Sequence, residues 1–180
     1  MYIPEANNKL IVLQMYKSFD EGDFETLQNL LASDFVAHIP GATEPLNREA
    51  FMHSVLMNFR SAFPDGTHRF EDVICEADKV VTRGTFSGIH QGELQGIPPT
   101  GKQITIPFFH IDRLVDAKLV EHWGQSDLLG LMQQVGIIPI PGPGLILRKF
   151  YWAVSGAMPK AYRFNYSYIQ ALSILMKKYH

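Results

Sequence analysis

The sequence predicts an α+β fold in which amphipathic helices come first and an antiparallel sheet follows. Apolar residues recur at helical spacing three times before residue 64, and from Thr67 onward the chain changes to runs rich in Val, Ile, Thr and Phe. Helices grouped ahead of a strand series are typical of α+β domains. The composition, 46% hydrophobic and 19% charged, is that of a folded globular protein.

Three helices are predicted in the first part of the chain. The first ends before Gly22, the second covers about 24–31, and the third begins within 45–49 and ends at the Pro-Asp-Gly of 64–66. Between the last two, residues 34–41 are too short and too broken by Pro and Gly for a helix, so we expect an extended stretch there. The first helix carries the apolar stripe Val12, Met15, Tyr16 and Phe19.

Four strands and a short helix are predicted next. Gly136 fits the end of the helix, which covers 126–136, and Asp127 lies at its start. The loop 91–102 is rich in Gly and Pro and is predicted either to rim a site or to be a plain hairpin connection. The strands cover roughly 67–76, 79–90, 102–115 and 118–126.

The charges divide the chain into a predicted domain, 1–140, and a predicted helical extension, 141–180. Residues 1–127 hold 10 basic and 18 acidic side chains, whereas 128–180 hold six basic and no acidic ones. Two basic, aromatic helices are predicted within 145–178, and neither is long and apolar enough to span a bilayer. We expect them to dock on the acidic body or on a partner subunit; the alternative is a peripheral contact with anionic lipid.

Several functional classes lack the residues they need. Cys75 is the single cysteine, so a disulfide or a cysteine-based zinc site is not expected. No His-Glu-x-x-His motif, phosphate loop or serine nucleophile motif is present, and the overall charge of −2 does not favour nucleic acid. The start lacks the features of a secretory signal, so we expect a cytoplasmic protein. We expect no metal and no cofactor.

Strand alternation selects the candidate site residues, since alternate side chains share one face of a sheet. Such rows, which mix apolar and ionisable groups, suit the wall of a small-molecule pocket. One predicted row is Ile104, Ile106, Phe108 and His110, and the other is Leu119, Glu121, Trp123, Gln125 and Asp127.

Asp127 has two readings. Aspartate is a favoured N-cap residue, and Asp127 stands at a strand-to-helix junction. Alternatively, its carboxylate is an acid/base group in an apolar pocket. His38 and His110 become functional candidates if they converge with Asp127, and otherwise they are hydrogen-bonded core residues.

The remaining ionisable candidates are weaker. His90 ends a long strand beside the 91–102 loop, and Arg83 lies on the same strand. Three other histidines are predicted to be surface or structural residues, and one of them, His122, alternates with the Asp127 row. These three are His53, His68 and His122.

The order of motifs resembles the SnoaL-like polyketide cyclases of the nuclear transport factor 2-like superfamily, over roughly 8–139. The two most specific motifs are FFHIDRLVDAKLVEHWGQSD (108–127) and LLGLMQQVGIIP (128–139). The supporting ones are DFVAHIPG (34–41), FPDGTH (63–68) and GTFSGIHQGELQGIPPTGK (84–102).

The resemblance implies a cone-shaped sheet, no cofactor, and one aspartate as general acid/base for an intramolecular aldol-type ring closure of a polyketide ester. The matching carboxylate is Asp127, with His110 and His38 positioning or polarising a carbonyl and Trp123 as an aromatic wall. A homodimer through the exposed sheet face is also implied. Substrate contacts are predicted at Trp123, Phe108, His90, Arg83 and Glu121.

Three hypotheses for function follow from the sequence. The first is a small cyclase, isomerase or dehydratase that uses Asp127 on an apolar carbonyl substrate. The second is a carrier or sensor that holds the same kind of molecule without chemistry and tolerates Asp127→Asn. The third is a dimeric interaction module whose cavity is filled by side chains.

Overall fold

The structure is a computed structural model, and it describes residues 4–138. The helical part consists of α1 (Pro4–Glu21), α2 (Phe24–Leu30), α3 (Arg48–Ala50), a π-helical segment (Phe51–Met57), α4 (Asn58–Ala62) and α5 (Leu128–Val135). The strands are β1 (Leu31–His38), β2 (Leu46–Asn47), β3 (Thr67–Glu76), β4 (Lys79–Ile89), β5 (Gln103–Val115) and β6 (Lys118–Ser126). The α+β prediction is confirmed.

The predicted elements agree closely with the observed ones, and the differences have local causes. The extended stretch predicted at 34–41 contains the end of β1, which covers Leu31–His38, and a turn at 40–41. The third helix is interrupted by the π-helical segment, a local rearrangement that an apolar stripe does not reveal. Strand β2 is only two residues long, too short to produce an alternating pattern.

The six strands form one curved sheet in the order β2-β1-β6-β5-β4-β3. Strands β3 to β6 form an antiparallel series, as predicted, whereas β1 pairs with β6 in parallel. This parallel pairing brings together segments that are distant in sequence: Ala37 lies beside His122, and His38 lies beside Trp123. The first half of the chain therefore contributes directly to the neighbourhood of β6.

The core lies between α1 and one face of the sheet, which we call the inner face; the opposite side is the outer face. The whole α1 stripe is at most 5% exposed. The row predicted on β5 is confirmed, because Ile104, Ile106 and Phe108 are buried on the inner face. Burial of a large apolar side chain stabilises a fold by about 1.5–3 kcal/mol, so this packing fixes the position of α1 over the sheet.

A β-bulge at Val120 reverses the alternation of β6. Leu119 pairs with Leu114, but the next pair is Glu121 with Arg113, which leaves Val120 as an extra residue. Leu119 is consequently buried, while Trp123 is 51% exposed on the outer face. The row predicted for 119–127 is therefore wrong at Leu119, which lies on the opposite face from Glu121, Trp123 and Gln125, because regular alternation does not hold across a bulge.

Within residues 4–138, no helix is long and apolar enough to cross a membrane. The predicted helices of 145–178, with their docking on the body, a partner or lipid, lie outside the described residues. The boundary predicted near residue 140 stays a prediction.

Candidate functional site

Four polar side chains meet on the inner face and form what we call the inner cluster: Tyr16, His110, Asp112 and His122. The Oη of Tyr16 lies 2.6 Å from Nδ1 of His110. The same hydroxyl is 3.4 Å from Oδ2 of Asp112. Nδ1 of His122 is 2.8 Å from the other carboxylate oxygen, Oδ1. One carboxylate and one phenol thus connect two imidazoles.

The fold brings these residues together from three elements. Tyr16 belongs to the buried stripe of α1, and His110 and Asp112 follow Phe108 on the inner row of β5. Asp112 and His122 are direct cross-strand partners in the β5–β6 ladder. The bulge of β6 turns the His122 side chain inward, so the inner cluster depends on this bulge.

The inner cluster lies within an aromatic wall. The His110 ring stacks on Phe108, with centroids 4.7 Å apart, and meets His122 edge-on at 5.0 Å. Phe51 of the π-helical segment lies 5.4 Å from the His122 ring. Charge is costly in such surroundings, because few polar groups replace the lost water.

Burial sets the protonation of two members of the cluster. Desolvation, followed by the nearby Asp112 charge, raises the pKa of Tyr16 well above its ordinary value of 10.0. Desolvation, followed by repulsion from His122 and His68, lowers the pKa of His110 well below 6.5. At neutral pH Tyr16 is therefore a phenol and His110 a neutral imidazole.

His68 contributes a second histidine–aspartate contact to the same wall. Its Nδ1 lies 2.6 Å from Oδ1 of Asp20, and its backbone N–H donates to Oδ2 of the same residue at 2.9 Å. The ring of His68 lies 5.0 Å from that of Tyr16. This histidine is mostly buried and structural, in agreement with one of its two predicted readings.

Gly124 brings the backbone of β6 close to both imidazoles. A Cβ at this position would lie 2.8 Å from Nε2 of His122 and 3.6 Å from Cδ2 of His110. Any side chain here would displace the His122 ring, which Asp112 holds in place. Gly124 also lines a cleft of about 300 Å³ at the edge of the sheet, so cleft and cluster are neighbours.

Three predicted site residues form a separate group on the outer face. The rings of His38 and Trp123 stack with centroids 3.7 Å apart, and both border the cleft. Glu121 accepts hydrogen bonds from Trp123 Nε1 and from Arg113 Nε, each at 2.8 Å. These two donors, Arg113 first, lower the pKa of Glu121 below 4.5. His38 and His110 therefore lie on opposite faces and do not converge.

Asp127 is the N-cap of α5. Its Oδ1 accepts a hydrogen bond from the Gly130 amide at 2.7 Å, and the residue is exposed. Within residues 4–138, its carboxylate makes no hydrogen bond to either candidate histidine. The cap reading agrees with the structure, and the acid/base role stays a prediction.

The other two predicted contacts, His90 and Arg83, are held by structural partners. His90 is completely buried, and its Nδ1 lies 3.1 Å from Thr100 Oγ1, which ties the 91–102 loop to β4. Arg83 lies on the outer face and pairs with Glu71 and Asp72. The hydrogen bond to Asp72 is the main cause of its raised pKa.

The sequence prediction missed three members of the inner cluster. Asp112 is the next member of the row that ends at His110, and alternation alone would have found it. Tyr16 was assigned to the apolar stripe without regard to its hydroxyl. His122 was predicted to be a surface or structural residue because its side chain alternates with the predicted row. Only the bulge in β6 and the parallel pairing of β1 show that His122 lies on the buried face of the sheet.

The arrangement of ionisable groups offers no metal site among residues 4–138, where no three His, Cys, Asp or Glu side chains could hold an ion together. The prediction of no metal rests on the sequence.

Comparisons with known proteins agree on one family. A family model described as SnoaL-like polyketide cyclase matches residues 10–135. The aklanonic acid methyl ester cyclase DauD of Streptomyces sp. (strain C5) is 30% identical over 139 residues, covering 74% of this chain and 83% of DauD. DnrD of Streptomyces peucetius, a cyclase with the same described activity, is 30% identical over 139 residues, covering 74% and 92%.

Solved structures show the same fold. IdmH from Streptomyces antibioticus, described as a candidate polyketide cyclase, has a TM-score of 0.65 and 33% identity over 72% of this chain and 98% of its own. AclR from Streptomyces galilaeus, described as a candidate hydroxylase, has a TM-score of 0.70 and 25% identity over 84% and 94%.

Proposed function

Because the chain belongs to the SnoaL-like polyketide cyclase family, we propose that it closes a ring in a polyketide ester by an intramolecular aldol-type addition. A base takes a proton from the carbon next to one carbonyl, and the resulting enolate carbon bonds to a second carbonyl carbon. The second oxygen then takes up a proton. Substrate and product are isomers, so the reaction consumes no co-reactant.

The inner cluster is the observation that supports this reaction best. An enolate needs a base near the carbon and a hydrogen-bond donor near the developing oxyanion. The cluster offers two imidazoles 5.0 Å apart, each with a polar partner on Nδ1. Its aromatic wall suits an apolar, planar substrate and excludes water, which strengthens the electrostatic contacts.

The proposed substrate class rests on the curated relatives. DauD and DnrD are named for aklanonic acid methyl ester, so we propose a polyketide methyl ester for this chain. The aromatic residues beside the cluster, Phe108 and Phe51, are expected to stack against its rings.

Aklanonic acid methyl ester is therefore the first probe. Incubation with the full chain should give a product of unchanged mass with one additional ring, detected by chromatography with mass spectrometry and by NMR. His110→Gln and His122→Gln should each lose about 10²–10⁴-fold in kcat, the usual contribution of a general acid or base. His53→Gln, which changes an exposed histidine, is the matched control.

The carrier hypothesis makes a different prediction for the same experiment. A carrier would bind the ester, seen as quenching of protein fluorescence, and return it unchanged. Absence of turnover by the wild-type protein, together with tight binding, would replace the cyclase proposal with the carrier one.

We also propose that a second copy of the chain covers the outer face. An apolar row crosses adjacent strands there through Ile74, Val81, Ile111 and Trp123. Ile74 and Ile111 are 59% and 43% exposed. The flanking charges of Arg83 and Arg113 pair within the chain, so the row is available for an apolar partner.

Sedimentation equilibrium tests the dimer. The wild-type chain should sediment as a dimer, and Ile111→Lys should sediment as a monomer. The control is Leu10→Lys, which alters another exposed aliphatic residue, on α1 and away from the row. A monomeric wild type at high concentration would contradict this proposal.

A further inference from the structure

We propose that the inner cluster holds His110 and His122 in opposite tautomers, with His122 Nε2 as the base and His110 Nε2–H as the oxyanion donor. This assignment rests on the proposed cyclase function, to which it adds the identity of the base and of the oxyanion donor. It places the base on His122, whereas the sequence places it on Asp127.

Asp112 fixes the tautomer of His122. A carboxylate accepts hydrogen bonds and has no hydrogen to donate, so Nδ1 of His122 must carry the hydrogen in the 2.8 Å contact. In a neutral imidazole the other nitrogen, Nε2, then carries the lone pair. Asp112 is fully buried, so water does not compete for this contact. Asp112 is thus a positioning residue that orients a basic nitrogen.

Tyr16 fixes the opposite tautomer of His110. The phenol has one hydrogen, and the acceptors beside it are His110 Nδ1 at 2.6 Å and Asp112 Oδ2 at 3.4 Å; the Thr82 hydroxyl, also nearby, acts as a donor to the phenol oxygen. A hydrogen directed at the carboxylate would give the shorter of the two contacts, because bonds to ionised acceptors are short. The observed distances therefore show the phenol O–H directed at Nδ1 of His110. Because Nδ1 accepts this hydrogen bond, the ring's own hydrogen is on Nε2.

The surroundings keep this arrangement at neutral pH. The groups that face His110 are Tyr16, His122, His68 and the Asp112 carboxylate. Burial and the two neighbouring histidines lower the pKa of His110, so this ring stays neutral. A positive charge on His110 would oppose the transfer of a proton to the neighbouring His122. A neutral imidazole that donates from Nε2 can stabilise an oxyanion without giving up its proton early.

Gly124 lets the backbone of β6 lie close to both rings. The position of its missing Cβ is 2.8 Å from Nε2 of His122 and 3.6 Å from Cδ2 of His110. A side chain at this position would press on the nitrogen assigned as the base, whereas the hydrogen of glycine leaves it uncovered on this side. Gly124→Ala should therefore block the base or displace its ring, even though alanine is the smallest addition.

The direct test is NMR of the full chain with ¹⁵N-labelled histidine. Long-range ¹H–¹⁵N correlations distinguish an Nδ1–H from an Nε2–H tautomer, and His110→Gln and His122→Gln assign the signals. We expect the Nδ1–H form for His122 and the Nε2–H form for His110. Finding the same tautomer for both rings, or the reversed pair, would overturn the inference.

Variants of the positioning residues connect the tautomers to catalysis. Tyr16→Phe should remove the Nε2–H preference of His110, and Asp112→Asn should weaken the Nδ1–H preference of His122. Each should lower kcat about 10²-fold or more with little change in KM. Unchanged tautomers in both variants would contradict the assignment. If the wild type does not convert the ester, the cyclase proposal fails, and the tautomer spectra still decide this inference.

Discussion

Nδ1 of His122 lies 2.8 Å from Oδ1 of Asp112, directly across the ladder between β5 and β6. The β-bulge of β6 turns the side chain of His122 inward, and Asp112, which it contacts, is not exposed to solvent. A buried carboxylate is costly unless it is paired and hydrogen-bonded. Its hydrogen-bond donor here is the imidazole of His122, and the phenol oxygen of Tyr16 lies 3.4 Å from its other oxygen.

Asp127 offers a prediction about stability. Asp127→Ala should lower the free energy of unfolding by about 1 kcal/mol, because α5 loses its N-cap hydrogen bond. Asp127→Asn should change it by only a few tenths of a kcal/mol, since asparagine caps as well as aspartate. Urea unfolding followed by circular dichroism measures both variants. If Asp127→Ala and Asp127→Asn lowered the free energy of unfolding equally, the negative charge of Asp127, rather than its N-cap hydrogen bond, would be what stabilises α5.

His110 makes stability depend on pH. Its pKa is lowered in the folded state, so below 6.5 the unfolded chain binds a proton that the folded chain does not. The contribution of neutral His110 is complete above this value and is lost as the pH falls towards the folded pKa. The slope from this one group reaches at most about 1.4 kcal/mol per pH unit.

The matched comparison is His110→Gln over pH 4 to 8, with unfolding measured in urea. Tyr16, Asp112, His122 and His68 remain in both proteins, so the difference between the two curves isolates His110. The variant should lose less stability than the wild type on acidification. Parallel curves would contradict the burial of a neutral His110.

Glu121 tests whether the outer group binds substrate. Glu121→Gln keeps the shape of the residue that receives Arg113 and Trp123 but removes its charge. Because the reaction is placed on the inner face, we expect KM and kcat for the ester to stay within about twofold. A tenfold rise in KM would favour the sequence-based assignment of Glu121 and Trp123 to the substrate site.

Gly84 tests the packing that holds the inner face. A Cβ at Gly84 would lie 2.2 Å from the backbone oxygen of Arg69 and 2.9 Å from Phe108. Gly84→Ala should therefore destabilise the fold by about 1–3 kcal/mol, seen as a lower Tm. The control Ser87→Ala, on an outward-facing position of the same strand, removes only an exposed hydrogen bond to Thr105 and should change stability by less than about 1 kcal/mol.

Local periodicity was sufficient to predict most of the fold. The stripe from Val12 to Phe19 and the strand runs after Thr67 depend on neighbours within one element. The parallel pairing of β1 with β6 joins segments more than 80 residues apart, and no local pattern encodes it.

The site was less predictable for the same reason. His110 was found because β5 is regular, whereas His122 was missed because an extra residue at Val120 shifts the alternation after it. Asp112 was missed because a charged residue in a strand is normally expected at the surface. His122, the partner of Asp112, can be identified only when the pairing register of β5 and β6 is known.

The measurement that tests the central claim most directly is the kcat of His122→Gln and Asp127→Asn, side by side, on aklanonic acid methyl ester. The inner cluster as acid/base site predicts that His122→Gln loses about 10²-fold or more, while Asp127→Asn retains wild-type turnover. Loss of turnover in Asp127→Asn, with His122→Gln unaffected, would contradict it and return the base to Asp127.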